Sequence, residues 1–309
     1  MIKYYKTENS RIHQIDECEH NCWINVVSPD EDEIDSLIKR FNLEPDFIRA
    51  ALDEEESSRI ENEDGTTLII IDIPYVDKKG GNIVYSTMPI GIIVTKENVI
   101  TVSFRENMIL SEFAQGVVRN VNTEYKTQFV LYIILRVSSR YLQYLKQIDQ
   151  MSNYLEHELR ISMKNKELIG LLDINKSLVY FSTSLKADEI TLEKMMRGRL
   201  IRLYEEDQDL LEDVLIEIRQ AIEMSGIYSN VLSGTMDAFA SVISNNLNIV
   251  MKALAGITIV ISVPTIISGL YGMNIINGIP GDKVWWIPTL ITLGGMAAAA
   301  YFLKKKDML

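Results

Sequence analysis

The chain has 309 residues, 47% of them hydrophobic, and a formal net charge of −12 at pH 7. The acidic balance argues against nucleic acid as a partner, because a phosphate backbone attracts basic surfaces, and it is compatible with divalent cations. Two apolar segments near the C-terminus leave about 250 further residues, enough for a sizeable soluble core or two subdomains.

Residues 1–125 are predicted to form an α+β cytoplasmic domain. Strand-like runs cover 2–7, 22–27, 66–76, 82–96 and 98–104, and the Lys-Gly-Gly at 79–81 predicts a hairpin turn. Asp30 precedes a helical pattern that ends near Phe41, and Pro45 opens a short helix that reaches about Leu52. These residues contain neither a phosphate-binding glycine loop nor a nucleophile motif, so we expect no enzyme activity.

A group of soft metal ligands lies near the N-terminus, at His13, Cys18, His20 and Cys22. Four such ligands could bind zinc, but their spacing lacks the Cys-x-x-Cys knuckle. Residues 18, 20 and 22 would share one face of a strand, and we favour ordinary strand or loop residues over a metal site. The opening residues lack the apolar core of a secretory signal. In a cytoplasmic domain, the two cysteines should stay reduced.

The middle of the chain is predicted to be helical. Patterns over 125–163 and 166–189 make a helical hairpin within 126–192, and a third helix is predicted from about Glu193 with no clear breaker before Pro264. Residues 193–250 would then form a stalk continuous with the first apolar segment, on the order of 120 Å long if it reaches Tyr271. Its apolar side chains recur at three- and four-residue steps, which indicates packing against further helices in an oligomer.

The stalk carries a dense acidic patch, comprising Glu205, Glu206, Asp207, Asp209, Glu212, Asp213 and Glu217. This patch is either the solvated face of an acidic protein or a regulatory cation site between subunits. In the second case a bound divalent cation would screen carboxylates that otherwise repel one another.

Two uncharged segments near the C-terminus are long enough to cross a bilayer, which takes about 20 residues. We predict transmembrane helices at 251–273 and 284–303, an external loop at 274–283 and a basic cytoplasmic tail at 304–309. The lysines at 304–306 place both termini in the cytoplasm by the positive-inside rule. The expected location is therefore the inner or plasma membrane, as a multi-pass protein.

Small or polar residues recur every three or four positions along the first span and so share one helix face. This face consists of Asn248, Met251, Ala255, Thr258, Ser262, Thr265, Gly269 and Gly272. Such a face either packs closely against another helix or lines a polar pore. The stripe begins at Asn248 and ends at Asn274, and because an unpaired buried amide is costly, we favour the pore. Met251 and Leu254 are bulky and apolar, and are candidates for a constriction that gates by dewetting.

The tetrapeptide Tyr271-Gly272-Met273-Asn274, at the outer end of the first of two C-terminal spans, resembles the CorA magnesium-channel family. The approach to the span agrees at Met236-Asp237, Ser244-Asn245, Asn248, Met251-Lys252 and Leu254, and Trp23-Ile24-Asn25 matches a strand of the family's cytoplasmic domain. The resemblance implies an α+β domain followed by a stalk helix continuous with the first span, assembled as a homopentameric funnel of identical subunits in the lipid bilayer.

The resemblance also implies roles for particular residues. Gly272, Met273 and Asn274 would form the selectivity filter for Mg²⁺, and also for Co²⁺ or Ni²⁺, with the hydrated ion bound at a ring of Asn274 side chains. The stalk aspartate of the family's intersubunit Mg²⁺ sensor falls on Asp213. Its usual partner position is occupied by Ala50-Ala51, so the nearest acids, Asp46 and Asp53, are tentative partners. Ser262 stands where many relatives have a methionine.

Two other functions remain open. The loop sequence Ile279-Pro280-Gly281 is similar to the zinc-transporting branch of the superfamily, so Zn²⁺ transport, with or without proton coupling, is the first alternative. The second is a membrane-anchored scaffold that conducts no ions. The large soluble part supports this function, and the polar stripe argues against it.

Overall fold

The computed structural model describes residues 1–9, 11–79, 82–162, 165–197, 200–272 and 286–306. The chain divides into two compact units, Met1–Gly234 and Thr235–Leu309. The predicted turn glycines Gly80 and Gly81, the external loop 274–283 and the last three residues of the basic tail lie outside the described residues.

The first unit is built on a mixed sheet that, within the described ranges, has seven strands in the order β2-β1-β3-β7-β6-β5-β4. Neighbouring strands are antiparallel except for β3 and β7, which run parallel at the centre with Ile24 opposite Ile100. The strands are β1 Ile2–Glu8, β2 Arg11–Ile15, β3 Trp23–Val27, β4 Arg59–Glu63, β5 Thr66–Lys79, β6 Asn82–Val94 and β7 Val99–Ser103.

Helices cover both faces of this sheet, because the central strands bury side chains on both sides. The helices of the unit are α1 Glu31–Phe41, α2 Pro45–Leu52, α3 Met108–Ala114, α4 Lys126–Ser162 and α5 Asn165–Met196. Leu68 and Ile70 of β5 pack with α1 and α2 in one core, where a Cβ added to Gly91 would lie 2.3 Å from Ala51 Cβ. Asp30 caps α1 through a capping box with Glu33.

The predicted fold class is confirmed, with three short elements that the pattern analysis missed: β2, β4 and α3. The sequences of β2 and β4, RIHQI and RIENE, are mostly polar and exposed, as suits edge strands, so neither gives an alternating apolar signal. Each pairs with one neighbouring strand: β2 pairs with β1, with Tyr4 opposite Ile15, and β4 pairs with β5, with Ile60 opposite Ile69.

The long helix, α6, runs unbroken from Glu205 to Tyr271, and a last helix, α7, covers Trp286–Lys305. The expected start near Glu193 is wrong, because α5 continues to Met196 and the chain leaves the helix before α6. The cause is local capping, since the Asp207 carboxylate accepts the Tyr204 N–H at 3.0 Å and so defines a new helix start. Both α6 and α7 contain segments long and apolar enough to cross a membrane, and these segments are almost wholly exposed.

Candidate functional site

The predicted stripe of small and polar residues lies on an uncovered face of α6. Asn248, Ala255, Thr258, Thr265, Gly269 and Gly272 are exposed, Met251 and Leu254 are 58% and 59% exposed, and Ser262 is half-buried. A Cβ added at Gly269 would meet no atom within 4 Å. Among the residues that the structure describes, this face is therefore not used for helix packing.

The contact with α7 uses another face of α6. Ala253, Gly256, Val260, Val263 and Ile267 are the buried or half-buried positions there, and they also follow three- and four-residue steps. On α7, Gly295 gives the close approach, since a Cβ there would lie 2.9 Å from Val263 Cγ1 and 4.0 Å from Ile267 Cδ1. At roughly 100° per residue, this face is about half a turn away from the stripe. No pattern in the sequence identified Gly295 as the point of close approach, because its contact depends on how the two helices meet.

The hydroxyl groups on the stripe donate inward and leave lone pairs outward. Thr258 donates to Leu254 O at 2.8 Å, Ser262 to Thr258 O at 2.7 Å and Thr265 to Ile261 O at 3.3 Å. Because each hydroxyl proton is already donated within the helix, the hydroxyl oxygen can only accept a hydrogen bond from a ligand or coordinate a cation. An array of acceptors suits a cation, or the O–H groups of its hydration water.

The end of the stripe is only partly described. The Gly272 N–H donates to Ser268 O at 2.9 Å just after α6 ends. Met273 and Asn274, the other two residues of the predicted selectivity filter, lie outside the described residues.

The tentative sensor residues are all exposed: Asp213 on α6, Asp46 on α2 and Asp53 at the C-terminal cap of α2. Asp53 Oδ1 accepts the Glu55 N–H at 3.0 Å, while Ala51 is buried against the sheet. In the described part of the chain, no group of three or more His, Cys, Asp or Glu residues is arranged to hold a metal ion.

The acidic patch of α6 separates into structural and solvated members. Asp207 is buried and caps the helix, and Glu217 Oε2 accepts the hydroxyls of Ser138 and Ser139 at 3.0 and 2.9 Å. The exposed remainder consists of Glu205, Glu206, Asp209, Glu212 and Asp213. Only this remainder is available to a cation.

The N-terminal group of soft ligands is brought together only in part. Cys18 Sγ lies 3.5 Å from Cys22 Sγ, whereas His13 and His20 are exposed. Cys22 directly precedes β3, and residues 18–22 lie outside any strand, with a turn at 20–21, so the predicted common strand face is wrong. Burial, together with the neighbouring Cys18, raises the pKa of Cys22 to about 12, which keeps it a thiol.

Comparison with known proteins gives consistent matches over nearly the whole chain. Residues 19–305 match the model of the family described as CorA-like Mg²⁺ transporter protein. The cobalt/magnesium transport protein CorA of Methanocaldococcus jannaschii is 28% identical over 256 residues, covering 82% of this chain and 79% of that protein. The protein of the same name from Thermotoga maritima is 21% identical over 295 residues, covering 92% and 82%.

A solved structure also resembles the whole chain. The complete structure of the CorA magnesium transporter from Methanocaldococcus jannaschii superposes with a TM-score of 0.81 at 22% identity. The superposition covers 99% of this chain and 96% of that one.

Proposed function

The chain belongs to the CorA-like Mg²⁺ transporter family, and on that premise we propose that it is a membrane channel or transporter for divalent metal cations, chiefly Mg²⁺. Co²⁺ is a further cargo ion, in line with the names of the relatives in Methanocaldococcus jannaschii and Thermotoga maritima, and Ni²⁺ is a third that the family resemblance implies. The proposal places the protein in the inner or plasma membrane as a transporter without catalytic activity, with both termini in the cytoplasm.

The observation that carries this proposal is the division of α6 into two faces. One face packs on α7 through Val263 and Ile267, while the opposite face is polar, exposed and rich in acceptor oxygens. Polar side chains facing lipid are costly, so the polar face needs copies of itself around a water-filled path. Two spans per chain cannot enclose such a path, and the family implies a homopentamer.

The proposed path selects ions through their water shells. Mg²⁺ dehydrates reluctantly, so a ring of Asn274 side-chain oxygens would accept hydrogen bonds from its bound water without a fixed charge that traps the ion. Thr258, Ser262 and Thr265 would continue the acceptor lining, with Ala255 and Gly269 as small intervening positions. Met251 and Leu254 would form the apolar constriction, and Asn248 a second polar ring at the inner end.

Regulation would act at the subunit interface outside the membrane. Mg²⁺ would bind there between Asp213 of one subunit and Asp46 or Asp53 of the next. Each of the three carboxylates is exposed, which supports their availability to another subunit. Cation binding would offset their repulsion and hold the stalks together, and its loss at low Mg²⁺ would release them.

The test is ion flux into proteoliposomes that contain the purified protein, measured with Mg²⁺- and Zn²⁺-sensitive dyes with and without a pH gradient. We expect Mg²⁺ entry that is indifferent to the pH gradient. Zn²⁺ entry that follows the proton gradient would instead support proton-coupled zinc transport. If neither ion passes through well-assembled protein, the result would support the non-conducting scaffold.

Asn274→Ala is the decisive variant in the same assay. We expect it to abolish divalent flux, because the filter loses its amide acceptors, while the size of the assembly in detergent stays unchanged. Flux that survives this substitution would remove Asn274 from the conduction path.

A further inference from the structure

A cavity of about 210 Å³ lies in the first unit, away from the stripe on α6, and arginine and amide groups line it. Its wall includes Tyr75 of β5, Met88 of β6, Arg105 and Asn107 from the segment after β7, and Arg140 of α4. None of these residues has a part in the conduction path or in the Asp213 site.

Arg105 is held in place with part of its hydrogen-bonding capacity unused. Its guanidinium carbon stacks 3.5 Å from the centroid of the Tyr75 ring, and its Nε donates to Met88 Sδ at 3.1 Å. Thioether sulfur is a weak acceptor. Nη2 is buried and has no hydrogen-bond partner among the described residues. A buried donor without an acceptor is costly, more so when it is charged.

Asn107 supplies a second unused donor at the same cavity. Its side chain is only 8% exposed, and its Oδ1 accepts the Leu110 N–H at 2.8 Å. That bond fixes which end of the amide is oxygen, so Nδ2 must be a donor. Within the described part of the chain, Nδ2 is also buried and unpartnered.

The charge around the cavity favours an anion. Arg136 Nε bonds Glu112 at 2.6 Å, and Arg140 Nη2 bonds the other oxygen of the same carboxylate. Burial would raise the Glu112 pKa, but these two arginines outweigh it and hold the pKa below its usual range, so the carboxylate stays ionised. The Glu106 carboxylate, which also borders the cavity, lies within 3.5 Å of the Ser111 hydroxyl. In and beside the cavity, the three guanidinium groups of Arg105, Arg136 and Arg140 therefore outnumber the two carboxylates of Glu106 and Glu112.

We propose that this cavity binds a small oxyanion, either inorganic phosphate or the carboxylate of a small metabolite. Arginine matches both anions through its planar fork of donors, and Asn107 Nδ2 adds a third direction of approach. Met108, which also lies in the cavity wall, is 60% exposed. An anion that reaches the two buried donors would satisfy both and tie the segment after β7 to α4.

The test is thermal unfolding of the full chain in detergent, with inorganic phosphate or succinate titrated against chloride at matched ionic strength. We expect a saturable rise in Tm with phosphate or succinate beyond that with chloride, because a ligand that binds only the folded state stabilises it. A rise with phosphate alone identifies a phosphate site, and a rise with succinate alone identifies a carboxylate site. No rise beyond chloride overturns the proposal.

Two variants and a control make the assignment specific. Arg105→Gln removes the charge, and Asn107→Asp keeps the oxygen that caps α3 but replaces the free donor with a repelling carboxylate. Each should weaken anion binding at least tenfold, whereas Arg119→Gln, at an exposed position elsewhere, should change it less than twofold. Native-like affinity in both Arg105→Gln and Asn107→Asp would contradict the site.

Discussion

At the scale of single residues, Asp188 is the most constrained acid in the described structure. It is 1% exposed, its Oδ1 accepts the Ser58 hydroxyl at 2.8 Å and the Asp72 N–H at 2.9 Å, and its Oδ2 has no partner among the described residues. Burial and then the Asp72 charge raise its pKa well above the usual 3.8. Burial likewise raises the pKa of Asp72 and, well above its usual value, that of Tyr141.

This environment predicts a pH dependence of stability with a definite sign. Because the folded state holds the Asp188 proton more tightly than the unfolded state, the stabilisation is complete below the ordinary carboxyl pKa. It is lost as the pH rises from there to the folded-state pKa, at about 1.4 kcal/mol per pH unit for one proton. Thermal unfolding of the full chain between pH 4 and pH 8 measures this slope.

Asp188→Asn is the matched variant for that measurement. The amide oxygen keeps the bonds to Ser58 and to the Asp72 N–H, while the side chain can no longer ionise. We expect a higher Tm at neutral pH and a flatter dependence on pH. An unchanged slope would assign the pH dependence to other groups.

Asp213 allows a residue-scale test of the proposed sensor. Asp213→Lys should shift the Mg²⁺ concentration at which the stalk becomes protected from protease, because one ligand of the intersubunit cation is replaced by a positive charge. Asp209→Lys is the matched control, since it makes the same charge change at another exposed position of the patch. Identical protection curves for Asp213→Lys and the native chain would count against the sensor.

At the scale of elements, the α6–α7 contact depends on one glycine of an adjacent pair. A Cβ at Gly295 would lie 2.9 Å from Val263 Cγ1, whereas a Cβ at Gly294 would meet nothing within 4 Å. Gly295→Val should therefore overpack the contact, at a cost of about 1–3 kcal/mol, and lower both the Tm and the yield of assembled protein.

Gly294→Val is the control for that effect, because it adds the same bulk one residue away. Comparing the two variants by thermal unfolding in detergent separates packing against α6 from a general response of α7 to valine. Equal losses in both variants would mean that this contact does not limit stability.

The short elements show why local patterns miss part of the fold. α3 has seven residues and is capped by Asn107 Oδ1, while β2 and β4 are polar edge strands. The stability of the two strands comes from neighbours distant in sequence, so no window of residues contains their signal, whereas the Asn107 cap of α3 is a local signal that was missed. The start of α6 at Glu205 was also missed, although the two residues of its capping contact, Tyr204 and Asp207, are only three positions apart.

At the scale of the whole molecule, the proposed function requires several copies. Native mass measurement in detergent should give several copies of the 35.3 kDa chain, because the polar face of α6 is uncovered among the described residues, and the family resemblance implies that the number is five. A stable monomer that still conducts ions in proteoliposomes would contradict the proposed pore.

The sequence by itself determined the features that depend on local periodicity. Residue spacing predicts the two apolar segments, the stripe from Asn248 to Gly272 and the buried strands β5, β6 and β7. Sequence motifs identify the family. Helix and strand geometry convert spacing into a shared face, so no distant contact is needed to predict them.

Tertiary structure alone decided which distant residues meet. It put α7 on the face of α6 opposite the stripe, brought Asp188 to Asp72 across 116 positions and separated the structural acids Asp207 and Glu217 from the solvated ones. It also brought Arg105, Asn107 and Arg140 to one cavity. Burial and charge at these places depend on packing between elements, which spacing along the chain does not encode.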